Sequence, residues 1–246
     1  MEAVVNPLLT VVMPVYNEEE VIEQVIRDIY SSVLSKIPDS ELLAVDDGSS
    51  DSTPLLLDNL AQEYSQVIPL HKPNGGHGDA VLYGLERARG EYIFLTDSDG
   101  QTDPRDFWAL WPKRHGAELV CGVRAKRYDP LHRLVIARLL RFGIRMIFGV
   151  HCQDANVPFK LMTRDLWQKA QKMIPRDTLT PSLFLSILAA SSKQSFEEVD
   201  IRHLPRATGT STIRYLKLLR FCIRAFSQLM GFRRSLAAPP EVLKGR

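Results

Sequence analysis

Short apolar runs alternate along the chain with longer segments in which apolar side chains recur every three or four positions. The runs Leu9–Val15, Glu41–Val45, Val67–His71, Tyr92–Thr96 and Leu119–Gly122 read as buried strands, and helices are expected near Glu19–Ser31, Thr53–Tyr64, Asp79–Arg89 and Pro104–Arg114. This rhythm predicts an α/β fold: an open, Rossmann-like, mostly parallel sheet with helices on both faces and ligands at the carboxyl ends of the strands. From Leu131 the pattern becomes a long helical stretch to Val150. A strand is then expected at Val157–Met162, a helix at Pro181–Ala190, a strand at Phe196–Ile201 and a final amphipathic helix at Ile213–Met230.

Composition narrows this picture. A chain of 246 residues with 45% hydrophobic content can bury a full core. A formal net charge of +2 excludes a broad nucleic-acid-binding surface. Cys121, Cys152 and Cys222 form no CxxC pair, which argues for buried free thiols and against a disulfide framework or a zinc site. No apolar run reaches the length of about 18 residues that spans a bilayer. The start lacks a basic segment, so a signal peptide is not expected and a cytoplasmic location is, with peripheral membrane binding left open.

The polar residues after each strand carry the candidate chemistry. The first strand ends in Pro14-Val15-Tyr16-Asn17-Glu18 and the second in Asp46-Asp47-Gly48-Ser49. An aromatic such as Tyr16 can cover a nucleobase, and a carboxylate such as Asp47 can accept from a base N–H; turn formation and helix capping explain Asp47-Gly48-Ser49 equally well. The fourth strand opens into Asp97-Ser98-Asp99-Gly100-Gln101. Two carboxylates two residues apart, with Gln101 as a further oxygen donor, suit one hard cation, Mg2+ or Mn2+, shared with diphosphate oxygens. Asp103-Pro104 reads as a helix cap. Gly76 and Gly78, in Asn74-Gly75-Gly76-His77-Gly78, leave room for a ligand at a helix start, although the spacing is neither a dinucleotide fingerprint nor a Walker loop.

Taken in order, PVYNE, VDDGSSDST, NGGHGDA and DSDGQTDP resemble family 2 glycosyltransferases of the GT-A fold. The resemblance implies that Pro14, Tyr16, Glu18 and Asp47 line a nucleotide pocket, while Asp97, Asp99 and Gln101 hold diphosphate and metal. Gln101 after the second Asp is similar to the polyprenyl-phosphate branch, which includes dolichyl-phosphate mannose synthases. Gly122-Val123-Arg124, Asp154-Ala155-Asn156-Val157-Pro158-Phe159 and Arg206-Ala207-Thr208-Gly209-Thr210-Ser211 resemble further segments of that branch, and Arg133 and Arg138 fall on its arginine-bearing helix. Pro158 and Thr212 depart from its usual Gly and Lys.

This resemblance implies an inverting transfer of a hexose from a nucleotide-sugar donor to a polyprenyl or dolichyl phosphate. Arg124, Arg133 and Arg206 supply cations for the acceptor phosphate. A phosphate acceptor is already anionic, so Asp154 is expected to orient it or stabilise charge; with a hydroxyl acceptor the same Asp154 becomes the general base. A nucleotide-sugar-binding module without turnover is the alternative from another class. Arg138, Arg141 and Arg145 share one face of their helix, and Lys217, Arg220 and Arg224 repeat that spacing in the last, so both helices suit an anionic membrane surface, with core packing as the other reading. A membrane-protein partner fits the missing span. The organisation expected is a catalytic domain over 1–212, an amphipathic helix over 213–232 and a flexible tail over 233–246.

Overall fold

The computed structural model describes residues 6–125, 131–192, 196–204 and 215–237, with backbone alone for 131–136, 215–223 and 237. Seven strands form one sheet: β1 (Leu9–Val15), β2 (Ser40–Asp46), β3 (Val67–His71), β4 (Tyr92–Leu95), β5 (Leu119–Arg124), β6 (Lys160–Thr163) and β7 (Phe196–Ile201). Their order is β3-β2-β1-β4-β6-β5-β7, parallel except for β6, which runs antiparallel to both β4 and β5. Helices α1 (Ile22–Ser32), α2 (Thr53–Glu63), α3 (His77–Arg87), α4 (Phe107–Leu110), α5 (Leu131–Phe148), α6 (Arg164–Ala170), α7 (Pro181–Ser191) and α8 (Tyr215–Ala237) complete the fold.

Alternation along the central strands creates two cores. Val11 and Met13 of β1 and Phe94 of β4 meet Ile22 and Ile26 of α1 and Phe107 of α4 on one face. Val12, Ile93 and Leu95 meet Val81 and Leu85 of α3, Trp167 of α6 and Phe184 of α7 on the other.

The chain reverses its direction of growth between β1 and β4, so the crevice at their carboxyl ends is where ligands are expected. Local chemistry opens it. The β1–β4 register stops at Val12↔Leu95, and Thr96 N–H then donates to Val12 O. Backbone groups alternate along a strand, so Pro14, two residues on, lacks its N–H on the side where the ladder has already ended.

Several boundaries differ from the sequence reading for identifiable reasons. The helix expected over Pro104–Arg114 is a 3-10 turn at Pro104–Asp106, a single α-turn in α4 and a second 3-10 stretch at Trp111–His115. Pro112 has no N–H for the carbonyl four residues back, so the backbone tightens. β6 starts at Lys160 instead of Val157, because Val157 N–H closes a turn onto Asp154 O and Pro158 cannot donate. α6 was not anticipated, although its signal was present: Thr163 Oγ1 accepts from Leu166 N–H as its N-cap. The last helix runs on to Ala237, past the expected end, because Leu229 and Phe232 are buried, with Phe232 4.9 Å from Phe184 between ring centres. Residues 233–237 of the expected tail are therefore helical, and 238–246 lie outside the described residues. Cys121 and Cys152 are buried free thiols, as expected; the side chain of Cys222 lies outside the description.

Candidate active site

One wall of the crevice is two loops knitted together. Asn17, at φ 51°, accepts from Ser50 N–H at 2.8 Å, and its own N–H donates to Ser49 Oγ at 2.9 Å. Glu18 N–H donates to Thr53 Oγ1, and Ser52 N–H donates to Glu19 Oε2, both at 2.9 Å. The segment after β1 is thus tied to the segment after β2 through short polar side chains that bond backbone, which such residues favour. Tyr16 is held at the rim with 49% of its surface exposed, available to stack on a planar ligand.

Asp47 fastens the next loop to this wall. Its Oδ1 accepts from Lys72 Nζ at 2.5 Å and Gly75 N–H at 2.9 Å, and its Oδ2 accepts from Gly76 N–H at 2.8 Å. Lys72 also pairs with Asp79 at 2.6 Å. Gly48, at φ +70°, lets this loop lie directly on the turn: a Cβ there would stand 2.7 Å from Asn74 N. Neither a simple turn nor a helix cap accounts for Asp47, whose carboxylate organises the loop that begins α3.

The opposite wall is the segment after β4. Asp97 keeps some exposure at the crevice, but its Oδ1 is sealed from solvent and has no hydrogen-bond partner among the described residues. Burial, then the neighbouring Asp99, push its pKa from 3.8 to about 8, with Glu18 adding to the rise and Arg124 and Lys160 opposing it. Asp99 Oδ1 accepts from Gln101 N–H at 3.1 Å, which shapes the turn. A buried carboxylate oxygen without a partner, beside a second carboxylate, is what a hard cation satisfies. Among the described residues no three Asp, Glu, His or Cys side chains converge on one point, so a cation here must take its remaining oxygens from elsewhere, such as a bound diphosphate. Asp103 caps the next turn by accepting from Arg105 N–H at 2.9 Å, as expected. Leu204 N–H donates to Gln101 O, and Thr102 bridges His203, tying the end of β7 to this loop.

Between the walls lies a cleft of about 430 Å³ lined by Pro14, Tyr16, Glu18, Asp47, Asp97 and Asp99 among others. Gly76 lines it too, and Gly78 does not. Gly78 is buried, and its missing side chain accommodates the backbone after α6: a Cβ would lie 2.0 Å from Thr178 O. Gly78→Ala is therefore expected to lower unfolding free energy by about 2 kcal/mol through overpacking, measured by urea titration, with donor binding retained in the folded fraction. Gln101 is likewise absent from the lining; its backbone, rather than its side chain, makes the bonds seen here. Asn74 and His77 line the cleft and were not singled out from sequence. The signal was there in NGGHG, since a polar residue at a helix start after glycines faces the same ligand as the glycines. His77 is exposed at the rim of the cleft, where the neighbouring cleft atoms desolvate it and lower its pKa, opposed by Asp47 and Asp99.

Beyond Asp97, Arg124 at the end of β5 and Asp154 form a two-pronged pair: Nε to Oδ2 at 2.7 Å and Nη2 to Oδ1 at 2.9 Å, with side chains 17% and 7% exposed. The sequence reading placed these two in separate roles, and the fold brings them together. A carboxylate gripped on both oxygens by a guanidinium is a poor base. Lys160 lies fully buried between Leu95 and Cys121 in register, its ammonium donating to Val157 O. Arg133 is on α5, with its side chain outside the description, and Arg206 is outside the described residues.

A mixed sheet with its crevice at the β1–β4 switch and a carboxylate pair at the mouth of β4 defines a GT-A glycosyltransferase architecture. The chain belongs to glycosyl transferase family 2, whose model matches residues 10–170. It is 29% identical over 214 residues to the undecaprenyl-phosphate 4-deoxy-4-formamido-L-arabinose transferase of Pectobacterium carotovorum, covering 86% of this chain and 64% of that protein. The Pseudomonas aeruginosa enzyme of the same name is 29% identical over 216 residues, at 86% and 62%. The chain thus spans less than two thirds of the length of these curated relatives. Among solved structures, glucosyl-3-phosphoglycerate synthase from Mycobacterium tuberculosis with Mn2+, UDP and glucosyl-3-phosphoglycerate superposes with TM-score 0.66 at 20% identity, over 92% of this chain and 80% of that one. A mannosyltransferase from Pyrobaculum calidifontis with GDP-Man and Mn2+ gives 0.60 at 18%, over 96% and 66%. At these identities the two structures speak to the fold alone.

Proposed function

We propose that this protein is an inverting, divalent-metal-dependent glycosyltransferase that moves a sugar from a nucleotide-sugar donor onto a polyprenyl phosphate. The observation that carries the donor reading is Asp97, with its sealed, partnerless oxygen, facing a wall made of Tyr16, Glu18 and Asp47 across one cleft. The acceptor reading is supported by the names of the curated relatives and by Arg124, a fixed cation on the far side of Asp97.

Tyr16 and the Asp47 loop bind the nucleoside, and Asp97 and Asp99, with Gln101 closing their turn, are the residues that would hold Mg2+ or Mn2+ for the diphosphate. That ion, when bound, offsets the charge that builds on the departing nucleoside diphosphate. Arg124, fixed by Asp154, and the helix bearing Arg133 orient the acceptor phosphate, with Arg206 as a further candidate. An acceptor oxygen forms the new bond to the anomeric carbon as the bond to the diphosphate breaks on the opposite face, and its electron pair leaves with the nucleoside diphosphate. The acceptor is already anionic, so no proton has to be removed, and Asp154 serves to position Arg124.

Transfer from a panel of radiolabelled UDP- and GDP-sugars to a short polyprenyl phosphate, with Mn2+, Mg2+ or chelator, tests this. The panel includes mannose, glucose and a 4-amino-4-deoxy pentose derivative. A lipid-extractable, chelator-sensitive product from one donor is expected. Donor binding without transfer to any phosphate acceptor, but with transfer to a sugar hydroxyl, overturns the acceptor reading and makes Asp154 a base.

A further inference from the structure

Lys160 carries a charge that takes no part in the steps of transfer. Its side chain is fully buried, in register with Leu95 of β4 on one side and Cys121 of β5 on the other, and no described carboxylate forms an ion pair with it. The ammonium donates to Val157 O, and its charge opposes the rise that burial imposes on the pKa of the Cys121 thiol. Desolvating a lysine is costly, and satisfying one carbonyl does not by itself offset that cost.

The carbonyl it meets belongs to the turn that carries Asp154. Residues 154–159 lie between α5 and β6 in neither helix nor strand, so no ladder supplies partners for their backbone. Alternate carbonyls of this segment meet separate donors: Ala155 O accepts from Ser186 Oγ of α7 at 2.9 Å, Val157 O from Lys160 Nζ, and Phe159 O from Gly122 N–H of β5 at 2.8 Å. Ala155, Val157 and Phe159 are buried, while Asn156 is exposed. Val157 N–H closes the turn onto Asp154 O at 3.2 Å, so Lys160 acts on the residue that shuts the turn, and the turn presents the carboxylate that grips Arg124 on both oxygens.

We infer that Lys160 is a positioning residue for Arg124: its ammonium pins the turn at Val157 O, the turn fixes the Asp154 carboxylate, and the carboxylate holds the guanidinium in one orientation at the end of β5. An apolar side chain of similar length fills the same space but leaves Val157 O buried without a donor, and the turn then gains freedom at the point where it closes. The purpose of this support rests on the acceptor reading. The rigidity of the Arg124–Asp154 pair does not, so the two can fail separately.

The Arg124 Nε–H resonance, assigned by its loss from the heteronuclear NMR spectrum of Arg124→Lys, reports the pair directly in the full chain. Its exchange with solvent should be at least about tenfold faster in Lys160→Met than in wild type, with the melting temperature little changed, since an apolar side chain replaces a buried charge. Lys160→Gln keeps a donor without the charge and should recover most of the protection. On a short polyprenyl phosphate, Lys160→Met should raise the acceptor KM about tenfold while the donor KM and the Mn2+ requirement stay as in wild type. That effect should vanish in the Arg124→Ala background, because the lysine acts through the arginine. Wild-type exchange of Arg124 Nε–H in folded Lys160→Met overturns the inference, as does Lys160→Gln protecting no better than Lys160→Met. An acceptor effect that persists at full size without Arg124 also overturns it, and a changed Mn2+ affinity beside an unchanged Arg124 resonance does so by assigning the charge to Asp97 instead.

Discussion

Asp97→Asn is expected to lower the transfer rate at least about 10³-fold, roughly 4 kcal/mol of transition-state stabilisation, while the metal-free protein becomes more stable. The two effects have one cause. Asp97 Oδ1 is sealed and partnerless, and its folded pKa stands near 8 against an ordinary 3.8. In the unfolded chain the group ionises near 3.8, whereas in the metal-free fold it keeps its proton until about pH 8. The unfolded state therefore binds fewer protons over this window, and metal-free stability falls as pH rises from about 4 to 8. Asparagine has no such slope, so melting curves of Asp97→Asn should be flatter with pH and higher at pH 8. Cation binding must displace the same proton, so wild-type affinity for Mn2+ should rise with pH up to about 8, followed by calorimetry. Asp99→Asn should lose activity similarly. An Asp97→Asn protein that retains a tenth or more of wild-type turnover would remove the cation from the mechanism.

Arg124→Ala is the second large effect, and it should appear in both stability and turnover. Removing the guanidinium leaves the Asp154 carboxylate, 7% exposed, without the two bonds that grip both of its oxygens, at a cost of about 3 kcal/mol. Transfer should fall at least about 100-fold beyond the loss of folded protein, because the acceptor phosphate loses a fixed cation. Arg124→Lys keeps the charge but not the planar fork and should recover only part of either. Asp154→Asn is the informative partner. If Asp154 only positions Arg124, turnover on a phosphate acceptor should drop about tenfold with its pH profile unchanged. A loss above about 10³-fold, with the basic limb of the profile removed, would make Asp154 a general base on a hydroxyl acceptor.

Much of the fold was legible because each strand's apolar run is bounded by residues that cannot continue it. β1, β3 and β7 fall where the runs Leu9–Val15, Val67–His71 and Phe196–Ile201 place them. Two of the elements read less well are those in which a proline competes with an apolar pattern, at Pro112 and Pro158, since periodicity records burial and is blind to a missing N–H; α6, a helix of seven residues, is too short to show a period at all. Of the candidate site residues, Pro14, Tyr16, Glu18, Asp47, Gly76, Asp97 and Asp99 line one cleft. Gly78 lies outside the lining of that cleft, against Thr178 O, and a glycine required by a close backbone neighbour looks the same in sequence as one required by a ligand.

The sequence by itself determined the alternating architecture, the strand ends that carry polar residues and the carboxylate pair after β4. These follow from local physics: apolar period, turn chemistry and spacing along one strand. The tertiary structure decided that Asp47 holds the Lys72–Gly76 loop, that Arg124 and Asp154 are partners thirty positions apart, and that Asp97 has an oxygen that no described residue satisfies. It also decided that Leu139, Phe142 and Met146 of α5 are left exposed while Leu229 and Phe232 of α8 are buried. Pairing, desolvation and exposure depend on what the rest of the chain brings alongside a residue, and no local pattern encodes that.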